Sequence, residues 1–392
     1  MYAAMTAPDI VIVGGGINGC ATAWQLAREG HRVVVVERYA PAAMASGWTL
    51  AGVRQSGRHP AELPLARAAV GMWPALAEEL GADTGYTRGG NLRLARTEDE
   101  TGVIRRLVDD QCAAGLDLTY LDGNDAVRSV APAVAPTVLS AAFCPTDGHA
   151  DPLATVAAYR AAAERHGATF RLGEAVRSIE VRGDRVTGVV TDAVRIGCGA
   201  CVVAGGVLAN DLLTPLALTV PLRVPMVTVL QTDPVPPLLK PVLGAANADF
   251  AARQQLDGRL RVTSGATHWH GAMDDDPVPT VNPSVDGVAR TIETVAAALP
   301  VFREARIARV WAGLLDLTPD ALPVIERTPE IAGLVIAAGF SGHGFGIAPM
   351  TALLLRDLAV GDPPRLALDA FRRARFAEGG GAGLDAGLTL HG

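Results

Sequence analysis

The first forty residues combine two apolar runs with one helical pattern. The run Ile10–Val13 is typical of a buried parallel strand, and apolar residues then recur at helical spacing over Ile17–Ala27. Gly30 ends this helix, and the second apolar run, Val33–Val36, is followed by Glu37. The pattern therefore predicts a β-α-β unit with an acidic residue at the end of its second strand.

Glycines at a fixed spacing, Gly14, Gly16 and Gly19, join the predicted first strand to the helix. In such a unit the first glycine permits a tight turn, the second lets a pyrophosphate approach, and the third lets the helix pack on the strand. Glu37 can accept hydrogen bonds from ribose hydroxyls. These residues predict dinucleotide binding and leave open whether the nucleotide is FAD or NAD.

The middle of the chain alternates between helical and strand-like patterns. Residues 221–304 are richer in proline and in strand-like alternation, which predicts a second lobe. The other predicted elements are a small-residue loop over 41–60, helices over 61–80, 98–114 and 152–167, a strand within 84–95, and a hairpin that turns at Gly183.

A glycine-rich loop lies near the C-terminus. The apolar run Leu334–Ala338 predicts a strand, "SGHGFG" at 341–346 predicts a loop, and Pro349 predicts the start of a helix. We expect the three glycines of the loop to let the backbone lie against a flat cofactor. The N-terminus of the helix would then face anionic or electron-rich cofactor atoms.

Composition narrows the class of protein. The chain has 392 residues, of which 49% are hydrophobic and 19% charged, so it is globular rather than disordered. Its net charge of −7 and the absence of a Lys/Arg-rich run argue against nucleic-acid or anionic-membrane partners. The N-terminal stretch resembles neither a signal peptide nor a membrane span, and the five cysteines are scattered, so we expect a cytoplasmic protein.

The motifs together resemble a known family, the flavin-dependent amine and amino-acid oxidases of the D-amino acid oxidase superfamily. Within it the chain looks most like the beta chains of sarcosine oxidase, glycine oxidase and hydroxyproline-type dehydrogenases. The resemblance covers essentially the whole chain. It is carried by "VIVGGGINGCATAWQLAREG", "VVVVER", "GYTRGGNLRLA", "FCPTDGHADP", "VVAGG", "WAGLLDLTPDALPVIE" and "GFSGHGFGIAP".

The resemblance implies an α/β fold with two domains. A Rossmann-like FAD-binding domain, with a mixed or parallel sheet and helices, would comprise residues 1–83, 140–220 and 305–378. A substrate domain with an antiparallel sheet would comprise 84–139 and 221–304. The glycine-rich residues 379–392 are expected to form a mobile tail.

The family match also implies where FAD would bind. Glu37 would contact the adenosine ribose, Arg38 and Val176 the adenine, and the loop after 340 the flavin. The implied cofactor residues are Gly14, Gly16, Ile17, Asn18, Gly19, Glu37, Arg38, Ser46, Thr49, Gly52, Val176, Ala204, Gly205, Gly313, Gly342, His343, Gly344, Phe345, Gly346 and Ile347.

Three departures from relatives change the expected chemistry. Cysteine or histidine residues that attach flavin covalently in some members align near Gly313 and Thr49, so noncovalent FAD is expected. The arginine of a "GLRP" motif that binds the substrate carboxylate is replaced at Leu315-Asp316. Two lysines of monomeric sarcosine oxidases fall at Gly346 and about Arg261.

The chain has a single lysine, Lys240, in a Pro-rich stretch typical of a surface loop. A fixed cation beside reduced flavin favours reaction with oxygen. We therefore expect a dehydrogenase that passes electrons to a redox partner, although Arg261 could supply the cation and O2 stays open as the acceptor.

In this family the substrate loses a hydride to flavin N5, and the imine product hydrolyses. Arg54, in the loop near the flavin, is the first candidate to bind a substrate carboxylate; the alternative is a solvated loop arginine. His268 and His270 would form either a pocket wall or a solvent face, and Asp316 would either hold a cationic amine or support the fold. The expected substrate is a small amine or amino acid of the sarcosine or cyclic imino-acid type, and no metal is required.

Two other functions remain open from the sequence. One is an NAD-dependent dehydrogenase, because Glu37 and the glycine motif also suit NAD. The other is a flavin-carrying subunit of a larger electron-transfer complex, which would make the protein part of a hetero-oligomer.

Overall fold

A computed structural model describes residues 8–274 and 276–377, so the predicted mobile tail at 379–392 lies outside the described residues. The strands are β1 (Ile10–Val13), β2 (Val33–Glu37), β3 (Gly52–Val53), β4 (Asn91–Ala95), β5 (Thr119–Asp122), β6 (Ser140–Cys144), β7 (Gly148–His149), β8 (Thr169–Leu172), β9 (Val176–Arg182), β10 (Arg185–Thr191), β11 (Arg195–Gly197), β12 (Ala200–Val203), β13 (Pro225–Pro234), β14 (Val242–Ala245), β15 (Phe250–Gln254), β16 (Arg259–Ser264), β17 (Thr267–His268), β18 (Ile307–Leu314), β19 (Val324–Arg327) and β20 (Leu334–Ala338). The α-helices are α1 (Ile17–Ala27), α2 (Ala45–Trp48), α3 (Leu63–Leu80), α4 (Glu98–Ala113), α5 (Asn124–Val130), α6 (Pro152–Arg165), α7 (Ala209–Leu213), α8 (Val285–Ala298) and α9 (Gly344–Val360).

A six-stranded sheet in the order β19-β20-β12-β1-β2-β8 forms the first lobe. The strand β1 lies in its middle and pairs in parallel with both β2 and β12, which confirms the predicted β-α-β unit. Ile10 and Ile12 face a core formed with the helices α1, α3, α6 and α9, whereas Val11 and Val13 face a core shared with the small sheet β9–β11. Both faces of β1 are buried, and this explains its uninterrupted apolar sequence.

A larger, mainly antiparallel sheet forms the second lobe. Its strands follow the order β17-β13-β16-β15-β14-β4-β6-β5, and β18 pairs with the long strand β13. The strands β6 and β18 pair in this sheet, although the boundaries predicted at 140 and 305 assign them to the first lobe. Alternation identifies a strand but not the sheet that it joins, because pairing partners come from distant parts of the chain.

The helix α9 begins at Gly344, five residues before the predicted start at Pro349. Glycine is a weak helix former, so the segment before Pro349 has no helical signal in the sequence. The other predicted helices correspond to α3, α4 and α6. In the described part of the chain, no helix has both the length and the apolar character needed to cross a bilayer.

Candidate functional site: a cleft between the two sheets

Two adjoining cavities, of about 310 and 260 Å³, lie between the lobes. They share walls at Gly16, Ser46, Ala204 and Asp316 and so form one elongated cleft. The loops that follow β1, β2, β12 and β20 line it, which places the cleft at the carboxyl edge of the parallel strands. Ligands of open α/β sheets bind at this edge, and the elongated shape suits a dinucleotide.

One end of the cleft is built around Glu37. Its carboxylate accepts hydrogen bonds from the backbone N–H of Gly15 and, at 2.7 Å, from that of Tyr39. Burial raises the pKa of Glu37 above its ordinary value. Arg38 and Val176 line the cavity beside it. The carboxylate is thus held at the end of β2, where the sequence predicts a ribose contact.

The first and third glycines of the motif are required by close backbone contacts. A Cβ atom on Gly14, whose φ is +111°, would lie 2.3 Å from the carbonyl oxygen of Ala204. A Cβ on Gly19 would lie 1.9 Å from the carbonyl oxygen of Gly14. The turn therefore excludes a side chain at Gly14, and the close approach of α1 to this turn excludes one at Gly19.

The N-terminus of α1 opens onto the cleft. Gly16, its N-cap residue, provides no side-chain cap, and Ser46 Oγ accepts from the backbone N–H of Ile17 at 2.9 Å. Asn18 also lines the cleft, and its Oδ1 is buried without a hydrogen-bond partner among the described residues. A helix N-terminus and an unpartnered polar atom beside a side-chain-free turn fit the pyrophosphate of a dinucleotide.

The glycines at 342, 344 and 346, around the start of α9, serve different purposes. Gly342, with φ +85°, lines the cleft, and a Cβ there would meet nothing closer than 3.8 Å. A Cβ on Gly344 would lie 2.9 Å from Phe340, and one on Gly346 would lie 2.7 Å from the carbonyl oxygen of Gly52. The expectation that all three bring backbone against a cofactor is therefore wrong for Gly346, which instead lets α9 pack on β3.

His343, the N-cap residue of α9, is buried and lines the cleft. Its Nδ1 lies 3.1 Å from Glu62 Oε2. Burial, and next the charge of Arg58, lower the pKa of His343, and the nearby Glu62 carboxylate opposes them by raising it. Burial would raise the pKa of Glu62, but His343 and Arg58 outweigh it and hold that pKa at about 2. This pair fixes the start of α9 to the segment before α3.

Two arginines line the cavity at the other end of the cleft. Arg54 follows β3, and Arg93 lies on β4. Burial is the largest cause that lowers the pKa of each, to about 10 for Arg93, and the nearby guanidinium of Arg58 lowers both further. Arg93 is absent from the sequence-based prediction. Asn91 and Arg93 alternate with Leu92 and Leu94, and this polar face of an otherwise apolar strand is the signal that could have identified it.

Asp316 lies where the two cavities meet. Its Oδ2 accepts from the backbone N–H of Gly339 at 2.8 Å, and its carbonyl oxygen accepts from that of Ser341 at 3.2 Å. Burial raises its pKa to about 6, against the lowering effect of these backbone hydrogen bonds. The carboxyl group thus supports the turn after β20, which agrees with the structural alternative for this residue.

The structure places His268 and His270 at the surface, outside both cavities. Their rings stack 6.0 Å apart, and both side chains are exposed, so they form a solvent face rather than the alternative pocket wall. His268 lies in β17, a two-residue strand at the edge of the larger sheet, and His270 follows it.

The two residues considered for an oxygen-activating cation lie elsewhere. Lys240 is exposed, in agreement with the predicted surface loop. Arg261 is buried, donates from Nη1 to the carbonyl oxygen of Thr49 at 2.8 Å, and lies 5.2 Å from the ring of Trp311. Neither side chain lines the two cavities.

Most predicted cofactor residues meet in the cleft. Four of the predicted residues do not line it. Gly19 and Gly346 lie at close backbone contacts, Gly52 pairs with His149 in a short sheet, and Ile347 is buried in the core. Those in its walls are Gly14, Gly16, Ile17, Asn18, Glu37, Arg38, Ser46, Thr49, Val176, Ala204, Gly205, Gly313, Gly342, His343, Gly344 and Phe345.

Comparison with known proteins agrees with this geometry. The family described as FAD dependent oxidoreductase matches residues 9–358. Glycine oxidase from Geobacillus kaustophilus is 30% identical over 362 residues, which cover 89% of this chain and 92% of the relative. The beta chain of sarcosine oxidase from an Arthrobacter species is 26% identical over 388 residues, or 95% and 91% of the two chains.

Solved structures show the same fold. The glycine oxidase structure from Geobacillus kaustophilus superposes with a TM-score of 0.87 at 26% identity and covers 94% of this chain and 99% of its own. The structure of L-proline dehydrogenase from P. horikoshii superposes with a TM-score of 0.86 at 25% identity. The superposition covers 95% of this chain and 98% of that structure. FAD, rather than NAD, is therefore the cofactor of this cleft, and the chain belongs to the FAD dependent oxidoreductase family, the D-amino acid oxidase family.

Proposed function

We propose that this enzyme oxidises the C–N bond of a small amino acid of the sarcosine or cyclic imino-acid type. The observation that supports this most directly is Arg54, a guanidinium without an acceptor among the described residues, in the wall of the cavity at the flavin end. Bound FAD would supply the acceptor for a hydride from the carbon next to the substrate nitrogen. The resulting imine takes up water and gives an amine and a carbonyl product.

The chain's own residues orient the substrate and exclude water. Arg54 would bind the carboxylate through two parallel hydrogen bonds, a geometry that a guanidinium favours. Val227, Val229 and Phe250 line the same cavity and supply an apolar wall. Such a wall favours the neutral form of the substrate amine, which is the form that can lose a hydride. Amines without a carboxylate are the alternative substrates.

The proposed electron acceptor is a redox partner rather than O2. Lys240 is exposed, and the buried guanidinium of Arg261 is bound to the Thr49 carbonyl. Neither therefore supplies a cation to the cleft. Arg54 and Arg93, which do line it, are cations that a bound carboxylate would neutralise. Reduced enzyme mixed with air-saturated buffer in a stopped-flow instrument should regain its oxidised spectrum slowly, and rapid reoxidation would contradict this assignment.

A second candidate function is that of a flavin-carrying component in a larger complex. Several relatives are named as single subunits of their enzymes. They include the beta chain of sarcosine oxidase and one of the subunits of opine oxidase from Agrobacterium tumefaciens, which is 27% identical over 348 residues. A purified chain that holds FAD but reduces no dye with any amine would favour this candidate.

Anaerobic bleaching of the flavin tests the proposed function. Sarcosine, proline and N-ethylglycine should each be compared with the amine that lacks its carboxylate. We expect bleaching by at least one amino acid and not by its carboxylate-free counterpart. If only the carboxylate-free amines bleach the flavin, the amino-acid assignment is wrong; if no compound does, the oxidation of small amines is not the function of the isolated chain.

A further inference from the structure

Two guanidiniums from different lobes lie side by side in the cavity wall. Arg54 belongs to the loop after β3, and Arg93 belongs to β4 of the larger sheet. Gly57 marks the point at which they meet, because a Cβ atom built there would lie 3.0 Å from Arg54 Nη1 and 2.8 Å from Arg93 Nη2. The side-chain-free position thus leaves room for both groups.

Neither guanidinium has a hydrogen-bond acceptor among the described residues. The two nearby carboxylates form their hydrogen bonds with other groups: Asp147 accepts from residues 55–56, and Glu62 pairs with His343. These carboxylates contribute long-range charge to the arginines but no oxygen atom at hydrogen-bond distance. Both side chains line the cavity, so their N–H groups are available to a ligand there.

Such an arrangement is costly without a ligand. Both side chains are half-buried in the same wall, and two adjacent cations there repel each other more strongly than they would in bulk water. Each guanidinium can bind one carboxylate through two parallel hydrogen bonds. An amino acid with one carboxylate would occupy the donor pair of Arg54 and would leave that of Arg93 without a partner.

We propose that the substrate is an amino acid with two carboxylates, one bound by Arg54 and the other by Arg93. The second carboxylate ends either the N-substituent or the side chain. This inference rests on the proposed function, since it refines the substrate of the same cavity. Asn91, which lies on the same face of β4 and also lines the cavity, provides a further amide beside the second carboxylate.

Binding of unreactive ethers tests the inference without turnover. Diglycolate carries two carboxylates around an ether oxygen, and ethoxyacetate has the same chain length with a methyl group in place of the second carboxylate. Isothermal titration of the FAD-loaded protein should give a dissociation constant at least tenfold lower for diglycolate. Arg93→Met should remove this preference and leave ethoxyacetate affinity unchanged, and Arg88→Met, at an exposed position, should leave both values at those of the wild type.

Two outcomes would overturn the inference. Equal affinity of the wild type for the two ethers would show that no second carboxylate is bound, and this result needs no variant to fold. Equal weakening of both ethers by Arg93→Met would show that the two arginines share one carboxylate. The titration is independent of the proposed oxidation: a tenfold preference without flavin bleaching by any amine would support the two-carboxylate site and contradict only the proposed function.

Discussion

Gly19→Ala tests the contact that sets α1 against β1 and opens the dinucleotide site. The new Cβ would lie 1.9 Å from the carbonyl oxygen of Gly14, whereas ordinary van der Waals contact begins at 3.4 Å. The opposing atom belongs to the backbone of the glycine turn, so no side-chain rotation relieves the overlap. Helix and turn must separate by roughly 1.5 Å, because overlapping atoms repel steeply.

The loss of stability caused by Gly19→Ala follows from the burial of α1. All residues of α1 except Asn18 are buried, so the displacement disturbs a packed core. Overpacking of this kind costs about 1–3 kcal/mol, and the better helix propensity of alanine returns about 1 kcal/mol. We expect a net loss of up to about 2 kcal/mol in the free energy of unfolding. FAD affinity should fall about tenfold or more, since the N-terminus of α1 moves relative to Ser46.

Gly71→Ala provides a matched control. Gly71 lies within α3, is exposed, and has no atom within 4 Å of the position of a new Cβ. The same substitution should therefore raise the stability by about 0.5–1 kcal/mol and leave FAD binding unchanged. Thermal unfolding, followed by circular dichroism and by the release of flavin fluorescence, measures both effects. A Gly19→Ala protein that retains FAD and unfolds at the wild-type temperature would refute the packing argument.

The remaining predictions concern the cofactor, the carboxylate site and the buried acid. Acid or heat precipitation should leave the flavin colour in the supernatant, and colour retained in the pellet would contradict noncovalent FAD. Arg54→Ala should raise the dissociation constant of an amino-acid substrate about tenfold or more, because one charge-assisted contact is lost. The control Arg306→Ala, at an exposed position, should not change this constant. Unchanged affinity in Arg54→Ala would contradict the role of Arg54 in binding the carboxylate. Burial raises the pKa of Asp316 from 3.8 to about 6. The native state is therefore destabilised relative to the unfolded state as the pH rises from about 4 to about 6, and this loss of stability is complete above pH 6. Asp316→Asn should remove this component of the pH dependence and unfold at a higher temperature than the wild type near pH 7; parallel melting curves of the two proteins across this range would disprove it.

The sequence by itself determines the nucleotide-binding half of the site. The apolar run of β1, the three spaced glycines and Glu37 are local signals, because each is imposed by burial or by backbone contact within a single β-α-β unit. The Asp-Pro start of α6 is local for the same reason, and Asp151 caps that helix in the structure. Such features can be predicted from the sequence because neighbouring residues alone produce them.

The tertiary structure decides the features that depend on distant residues. Only the pairing of β18 with β13 assigns that strand to the larger sheet, and only the contact between α9 and β3 shows why Gly346 lacks a side chain. The position of Arg93 beside Arg54 also depends on distant residues. Alternation along β4 identifies a polar face, but the packing of the two lobes brings the loop that carries Arg54 against that face. Long-range packing, not local preference, creates the charged wall of the cavity, and therefore the sequence alone did not reveal it.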